Sequence, residues 1–122
     1  MALAQLLAED RVPPLELWDE TLVSSRLLEY EVWTRIHARG LGRSHGELAR
    51  ELVKRLAIIE IAAPIFGRAL EPFPTPVWTL DAMHLASIEF LRDHGQPIQL
   101  ASYDNRLLNA AHALSIPMFD LS

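Results

Sequence analysis

Three carboxylates, Glu31, Asp81 and Asp104, are the side chains of this sequence best suited to do chemistry. Glu31 lies in a helical segment, at the border of the apolar face that Leu28 and Val32 mark. Asp81 falls in the first turn of a predicted helix, and Asp104 lies between a predicted strand and a predicted helix. Because all three positions adjoin predicted strand ends, the carboxylates could converge on one site.

Each carboxylate also has an ordinary structural explanation. Glu31 could be solvated, or paired with Arg35 four residues later on the same helix. Asp81 is favoured in a first helical turn by the helix dipole, and Asp104 is suited to cap the following helix, whatever their chemistry. Taken one at a time, the three positions therefore favour a structural role.

Taken together, the three carboxylates predict a cation site. Clustered carboxylates raise one another's pKa unless a positive charge lies between them. Mg²⁺ or Mn²⁺ suits such a site because hard divalent ions prefer oxygen ligands. Such ions can activate a water molecule and stabilise the leaving oxygen of a phosphodiester, which is the chemistry of a nuclease.

The segments that contain these acids resemble a known family. Residues 22–32, 79–86 and 101–107 are similar, in this order, to segments of the PIN-domain ribonucleases, and most closely to the VapC-type toxins of bacterial and archaeal toxin–antitoxin pairs. The resemblance covers nearly the whole chain. Any one segment is weakly specific, whereas three in the family's order are fairly specific.

The resemblance implies a function and a set of site residues. Glu31, Asp81 and Asp104 match the family's acidic ligands for Mg²⁺ or Mn²⁺, and Ser102 matches a hydroxyl position that helps to order the site. Arg106, two residues after Asp104, is a candidate contact for an RNA phosphate. The family further implies Mg²⁺-dependent endoribonuclease activity, a homodimer, and inhibition by a small VapB-like antitoxin.

One feature of the family is missing from this sequence. PIN domains usually begin with a strand that carries an aspartate, just before the helix that corresponds here to residues 2–9. The sequence starts downstream of that strand, and neither Glu9 nor Asp10 is positioned to replace the aspartate. We therefore expect the N-terminal central strand and the first catalytic aspartate to be lacking, through a misplaced start codon or a natural truncation.

The elements that must position the acids alternate between strand and helix. The predicted strands cover residues 21–24, 56–61, 97–102 and 117–119, and the predicted helices cover residues 2–9, 26–38, 44–55, 64–70, 79–94 and 104–114. Thr79 is the predicted cap of its helix, and residues 71–77 alternate proline and form a predicted extended loop. This pattern predicts an α/β fold with a mostly parallel sheet, and the resemblance specifies a PIN-like, three-layer α/β/α domain over residues 1–122.

Composition excludes several classes of function. The formal net charge of −5 argues against bulk electrostatic binding of nucleic acid, so RNA would have to be held locally. Lys54 is the only lysine, which leaves almost no candidate for P-loop or Schiff-base chemistry. The absence of cysteine excludes thiolate sites and favours a cytoplasmic protein. No apolar run is long enough to cross a membrane.

Two alternative functions remain open at this stage. A catalytically inactive, truncated PIN-like module could still bind an antitoxin or RNA, and the missing aspartate supports it. A receiver-like or flavodoxin-like domain fits the alternating pattern, but no glycine-rich phosphate loop follows a strand. The tryptophans are expected to be core or interface anchors, and Trp78, next to the proline-rich loop, is also a candidate contact for RNA or antitoxin.

Overall fold

The computed structural model describes residues 14–121, so the predicted helix over residues 2–9 lies outside the described part of the chain. The chain divides into two compact units, the first ending at Ile59 and the second covering Glu60–Leu121. Each unit has its own buried cluster of apolar side chains. The predicted single domain over residues 1–122 stays a prediction.

The first unit combines a small parallel sheet with two helices. Its elements in chain order are a 3₁₀ helix at Leu15–Asp19, β1 at Leu22–Ser25, α1 at Arg26–Ala38, α2 at Gly42–Lys54 and β2 at Leu56–Ile59. The strands β1 and β2 pair in parallel, with Leu22 opposite Leu56 and Ser25 opposite Ile59. Two parallel strands need a long crossover, which α1 and α2 supply.

The core of the first unit follows from the spacing of apolar residues on α1. Leu28, Val32 and Ile36 recur every four residues, so they lie on one helix face and pack with Ala49 of α2. Gly40 follows α1 with a φ of +67°, in the left-handed region where a residue without Cβ is favoured. The chain therefore turns directly from α1 into α2, as the sequence predicts.

The second unit consists of three helices and a single β-bridge. Its helices are α3 at Ala63–Ala69, α4 at Thr79–Asp93 and α5 at Asn105–Ala113. An isolated parallel bridge pairs Leu100 with Met118. The apolar cluster of this unit joins α4, the bridge and α5, and its buried members are Leu85, Leu100, Leu107, Ala110, Ala111 and Ile116.

The predicted α/β class is confirmed, since residues 14–121 contain five α-helices and a small parallel two-stranded sheet. The predicted strands at 97–102 and 117–119 are wrong in extent, because only Leu100 and Met118 form a bridge there. Pro97 and Pro117 explain part of this difference, since proline has no N–H to donate to a strand neighbour. The helix-capping prediction for Thr79 is also wrong, since Thr79 is the first residue of α4 and follows Trp78 at the cap position.

No helix in the described range 14–121 is both long and apolar enough to span a bilayer.

Candidate functional site

Asp81 provides a buried carboxylate in the first turn of α4. The residue is only 8% exposed. Its Oδ2 accepts a long hydrogen bond, 3.4 Å, from the backbone N–H of Trp78, which lies just before the helix. Burial of a charged carboxylate is unfavourable unless hydrogen bonds or an opposite charge compensate. The surroundings of Asp81 therefore have to supply a positive partner.

Asp104 is the N-cap residue of α5. Its Oδ1 accepts hydrogen bonds from the backbone N–H groups of Arg106, at 3.0 Å, and Leu107, at 3.4 Å. These bonds satisfy two of the helix N–H groups that have no partner within the helix. The ordinary structural explanation for Asp104 is thus confirmed. Capping uses one carboxylate oxygen and leaves the charge of the group in place.

Ser102 lies beside Asp104, at the predicted supporting position. It is 5% exposed, and its Oγ accepts a hydrogen bond of 3.0 Å from the backbone N–H of Asp104. This bond fixes the backbone between the Leu100 bridge and α5. Ser102 therefore helps to set the direction in which the Asp104 carboxylate leaves the chain, and its supporting role in an active site stays a prediction.

Arg106 links the two carboxylates of the second unit. Its Nε lies 3.4 Å from Oδ2 of Asp81, and its backbone N–H is one of the donors to Asp104. The guanidinium carbon also lies 4.6 Å from the centroid of the Trp78 ring. A cation at this distance from an indole ring is attracted by the π-electrons. Arg106 thus supplies the positive partner that the buried Asp81 carboxylate needs.

Glu31, the third predicted acid, belongs to the first unit. It lies on α1 between the buried residues Leu28 and Val32, and its side chain is half-buried, as expected for the border of the apolar face. The structure therefore brings Asp81, Asp104, Ser102 and Arg106 together in the second unit, and the role of Glu31 stays a prediction.

Two carboxylates of the second unit have donor oxygens of the kind that a hard divalent ion prefers. Oδ1 of Asp81 and Oδ2 of Asp104 accept no hydrogen bond from the described residues, so each carboxylate keeps one oxygen for another ligand. Carboxylate oxygens are the ligands that Mg²⁺ and Mn²⁺ prefer. Within residues 14–121, however, no group of three or more His, Asp or Glu side chains is placed to hold a metal ion.

Trp78 was expected to be a core or interface anchor, or a contact for RNA or antitoxin. It is 67% exposed, so the core role is wrong, and the other roles stay predictions. Its contact with Arg106 joins the start of α4 to the start of α5, two segments that are distant in sequence. The position of Trp78 next to the proline-rich loop was the signal for an external contact, but it does not reveal which arginine covers the ring.

Comparison of the chain with protein-family models, with curated proteins and with solved structures found no match.

Proposed function

We propose that this chain is a Mg²⁺- or Mn²⁺-dependent endoribonuclease of the VapC type, with the PIN-like, three-layer arrangement that its sequence resembles. The observation that carries the proposal is the buried Asp81 carboxylate, which is connected to Asp104 through the side chain and backbone of Arg106. Two acids with oxygens available for a ligand, beside an arginine, are groups that metal-dependent hydrolysis of a phosphodiester can use.

Each residue of the proposed site would have a separate role. Asp81 and Asp104 would hold the divalent ion, with Glu31 as a third predicted ligand. The ion would supply the positive charge that activates water and stabilises the leaving oxygen. Arg106 would bind a non-bridging phosphate oxygen, because a guanidinium matches phosphate in charge and geometry. Ser102 would keep Asp104 in position through its backbone hydrogen bond.

The partners follow from the same family resemblance. We include in the proposal a VapB-like antitoxin that inhibits the nuclease, a homodimer and a cytoplasmic location. Size-exclusion chromatography with light scattering tests the homodimer directly, and co-expression with the product of a neighbouring reading frame tests the antitoxin.

Cleavage of a mixed RNA substrate by the purified 122-residue chain tests the proposed activity. We expect cleavage with Mg²⁺ or Mn²⁺ and none with EDTA. Asp81→Asn should lower the rate by at least about a hundredfold, because a directly ligating carboxylate matters more than the outer groups around a metal. Glu31→Gln tests the third predicted ligand in the same assay.

Asp93→Asn is the matched control, since Asp93 is the exposed last residue of the same helix, α4. It should leave the rate unchanged. Equal cleavage by Asp81→Asn and the wild type would refute the assignment, as would cleavage that survives EDTA.

A second candidate function is a catalytically inactive PIN-like module that binds RNA or an antitoxin. The ion pair between Arg106 and Asp81 favours it, because the guanidinium already balances the charge of the buried carboxylate. The lack of a three-residue ligand group within the described residues also favours it. RNA binding by the wild type without cleavage under any metal condition would support this function over the nuclease.

A further inference from the structure

The strongest feature outside the acid site is the exposed indole of Trp78. A tryptophan that is 67% exposed contributes little to a core, yet its backbone is well fixed. Its N–H donates to Asp81, and its carbonyl oxygen accepts a hydrogen bond of 2.9 Å from the N–H of Ala82 in the first turn of α4. The ring is thus an apolar surface presented to solvent from an anchored position.

Arg106 adds a positive charge to this surface. Its side chain is 48% exposed, although it contacts both the Trp78 ring and the Asp81 carboxylate. The ion pair with Asp81 joins Nε to Oδ2 at 3.4 Å. A guanidinium has five N–H donors, so one such contact leaves donors for an anion.

The other Trp–Arg pairs of the chain differ from this one. Trp33 lies under Arg50, with the guanidinium carbon 5.0 Å from the ring centroid, but Trp33 is half-buried and packs against the core of the first unit. Trp18 is also half-buried, and Arg55 lies 5.8 Å from its ring. Only Trp78 among the three tryptophans combines a nearby arginine with a ring that is mostly exposed.

We propose that Trp78 and Arg106 form a nucleotide-binding platform, on which a base of single-stranded RNA stacks against the Trp78 indole while Arg106 binds the adjoining phosphate. The proposal rests on the proposed function, since it names how that site would hold its substrate. Stacking on an aromatic ring accepts any base, and a guanidinium binds phosphate in any sequence. The platform therefore binds single strands without reading a particular base.

The pairing of these two groups favours a nucleotide over a protein ligand. The guanidinium carbon of Arg106 lies over one face of the Trp78 ring, 4.6 Å from the centroid, so the opposite face is the one offered to a base. A nucleotide combines a flat π-surface with an anion, and the platform combines an aromatic face with a cation. It also resolves a difficulty raised by the overall charge of −5, because RNA is then held by local contacts in place of a basic surface.

Binding of a short oligoadenylate in the presence of EDTA tests the platform, since EDTA removes divalent ions and isolates binding from cleavage. We expect the oligoadenylate to quench the fluorescence of the wild type. Trp78→Ala should weaken binding about tenfold, within the range found when a stacking aromatic is removed. Trp78→Phe should recover part of the affinity, because phenylalanine keeps a smaller aromatic face.

Two further measurements distinguish binding through the base from binding through the phosphate. An oligomer of abasic deoxyribose phosphates should bind the wild type and Trp78→Ala equally, because it has no base to stack. Arg106→Gln should weaken the binding of both oligomers. Trp33→Phe is the matched tryptophan control, and it should keep both the affinity and the quenching, whereas Trp78→Phe should lose most of the quenching.

The proposal would be overturned if the wild type and Trp78→Ala bound the oligoadenylate with the same affinity. It would also be overturned if Trp78→Ala lowered the affinity for the abasic oligomer as much as the affinity for the oligoadenylate. Circular dichroism must show that the variants are folded, which we expect because the Trp78 side chain is mostly exposed. The outcome is independent of the nuclease assay. If binding depends on Trp78 and no cleavage is seen, the platform is supported and the nuclease is refuted. If RNA is cleaved and binding does not depend on Trp78, the nuclease is supported and the platform is refuted.

Discussion

Trp33 in the first unit and Trp78 in the second both carry an arginine over the ring, but the two regions differ in the acid beside that arginine. Arg50, above Trp33, pairs at 2.9 Å with Glu47, whose side chain is 87% exposed. Arg106, above Trp78, pairs at 3.4 Å with Asp81, whose side chain is only 12% exposed. The first pair covers a hydrophobic core, and the second compensates a buried charge.

This difference shows that an arginine–tryptophan contact does not by itself mark a functional site. A pair like Arg50–Glu47, on the helix surface, is worth at most about 1 kcal/mol and serves the helix. Burial of a charged carboxylate lowers the stability of the fold unless a partner compensates its charge. Buried carboxylates with such a partner are also common at functional sites. Burial of the acid therefore distinguishes the second region from the first.

The largest expected effect tests whether the apolar core of the second unit stabilises α4. Leu85 lies one turn after Asp81 on α4 and is fully buried, so Leu85→Ala should lower the free energy of unfolding by about 3 kcal/mol. Urea denaturation measures the loss. Leu70→Ala, at an 88% exposed position, is the control and should cost under about 0.5 kcal/mol. A loss below 1 kcal/mol for Leu85→Ala would mean that α4 is not held by this core.

The next effect tests the two tryptophans directly. Trp33→Ala should lower the free energy of unfolding by about 2 kcal/mol, because the half-buried ring packs against the core of the first unit. Trp78→Ala should cost under about 0.5 kcal/mol, since its ring is mostly in water. Chemical denaturation of the two variants side by side gives both values. If both variants lost the same free energy of unfolding, Trp33 would contribute no more to packing than the exposed Trp78.

Asp104 allows its capping role to be separated from its charge. Asp104→Ala should cost about 1 kcal/mol of stability, because α5 loses the acceptor for two N–H groups. Asp104→Asn should be nearly neutral for stability, since asparagine caps equally well, but should abolish metal-dependent cleavage. Thermal melts combined with the RNA assay measure both properties. Full activity of Asp104→Asn would restrict Asp104 to the structural role.

The smallest effect concerns the charge of Arg106. In the proposed metal site the guanidinium and a divalent ion would compete for Asp81, so Arg106→Gln should tighten Mn²⁺ binding about threefold, or ~0.6 kcal/mol. Isothermal titration calorimetry with Mn²⁺ measures this change. Arg50→Gln, which alters the corresponding arginine of the first unit, should leave Mn²⁺ binding unchanged. Weaker Mn²⁺ binding by Arg106→Gln would contradict the competition.

Several features of the fold follow from local sequence alone. Apolar residues at four-residue spacing place α1, and Gly40 ends it, because periodicity and backbone freedom act over a few neighbouring positions. The position of Asp104 at a helix start is local in the same sense, since a cap involves only the next three residues. The α/β class also follows from the order of such segments.

Only the tertiary structure decided how the site in the second unit is assembled. The sequence proposed Asp81, Asp104, Ser102 and Arg106 as site residues, but it did not show that Arg106 pairs with Asp81 or covers Trp78. These contacts join the start of α4 to the start of α5, and they exist because the shared apolar cluster packs the two helices together. Local propensities carry no information about such distant neighbours, which is also why the sequence left open whether Trp78 is a core anchor or an exposed contact.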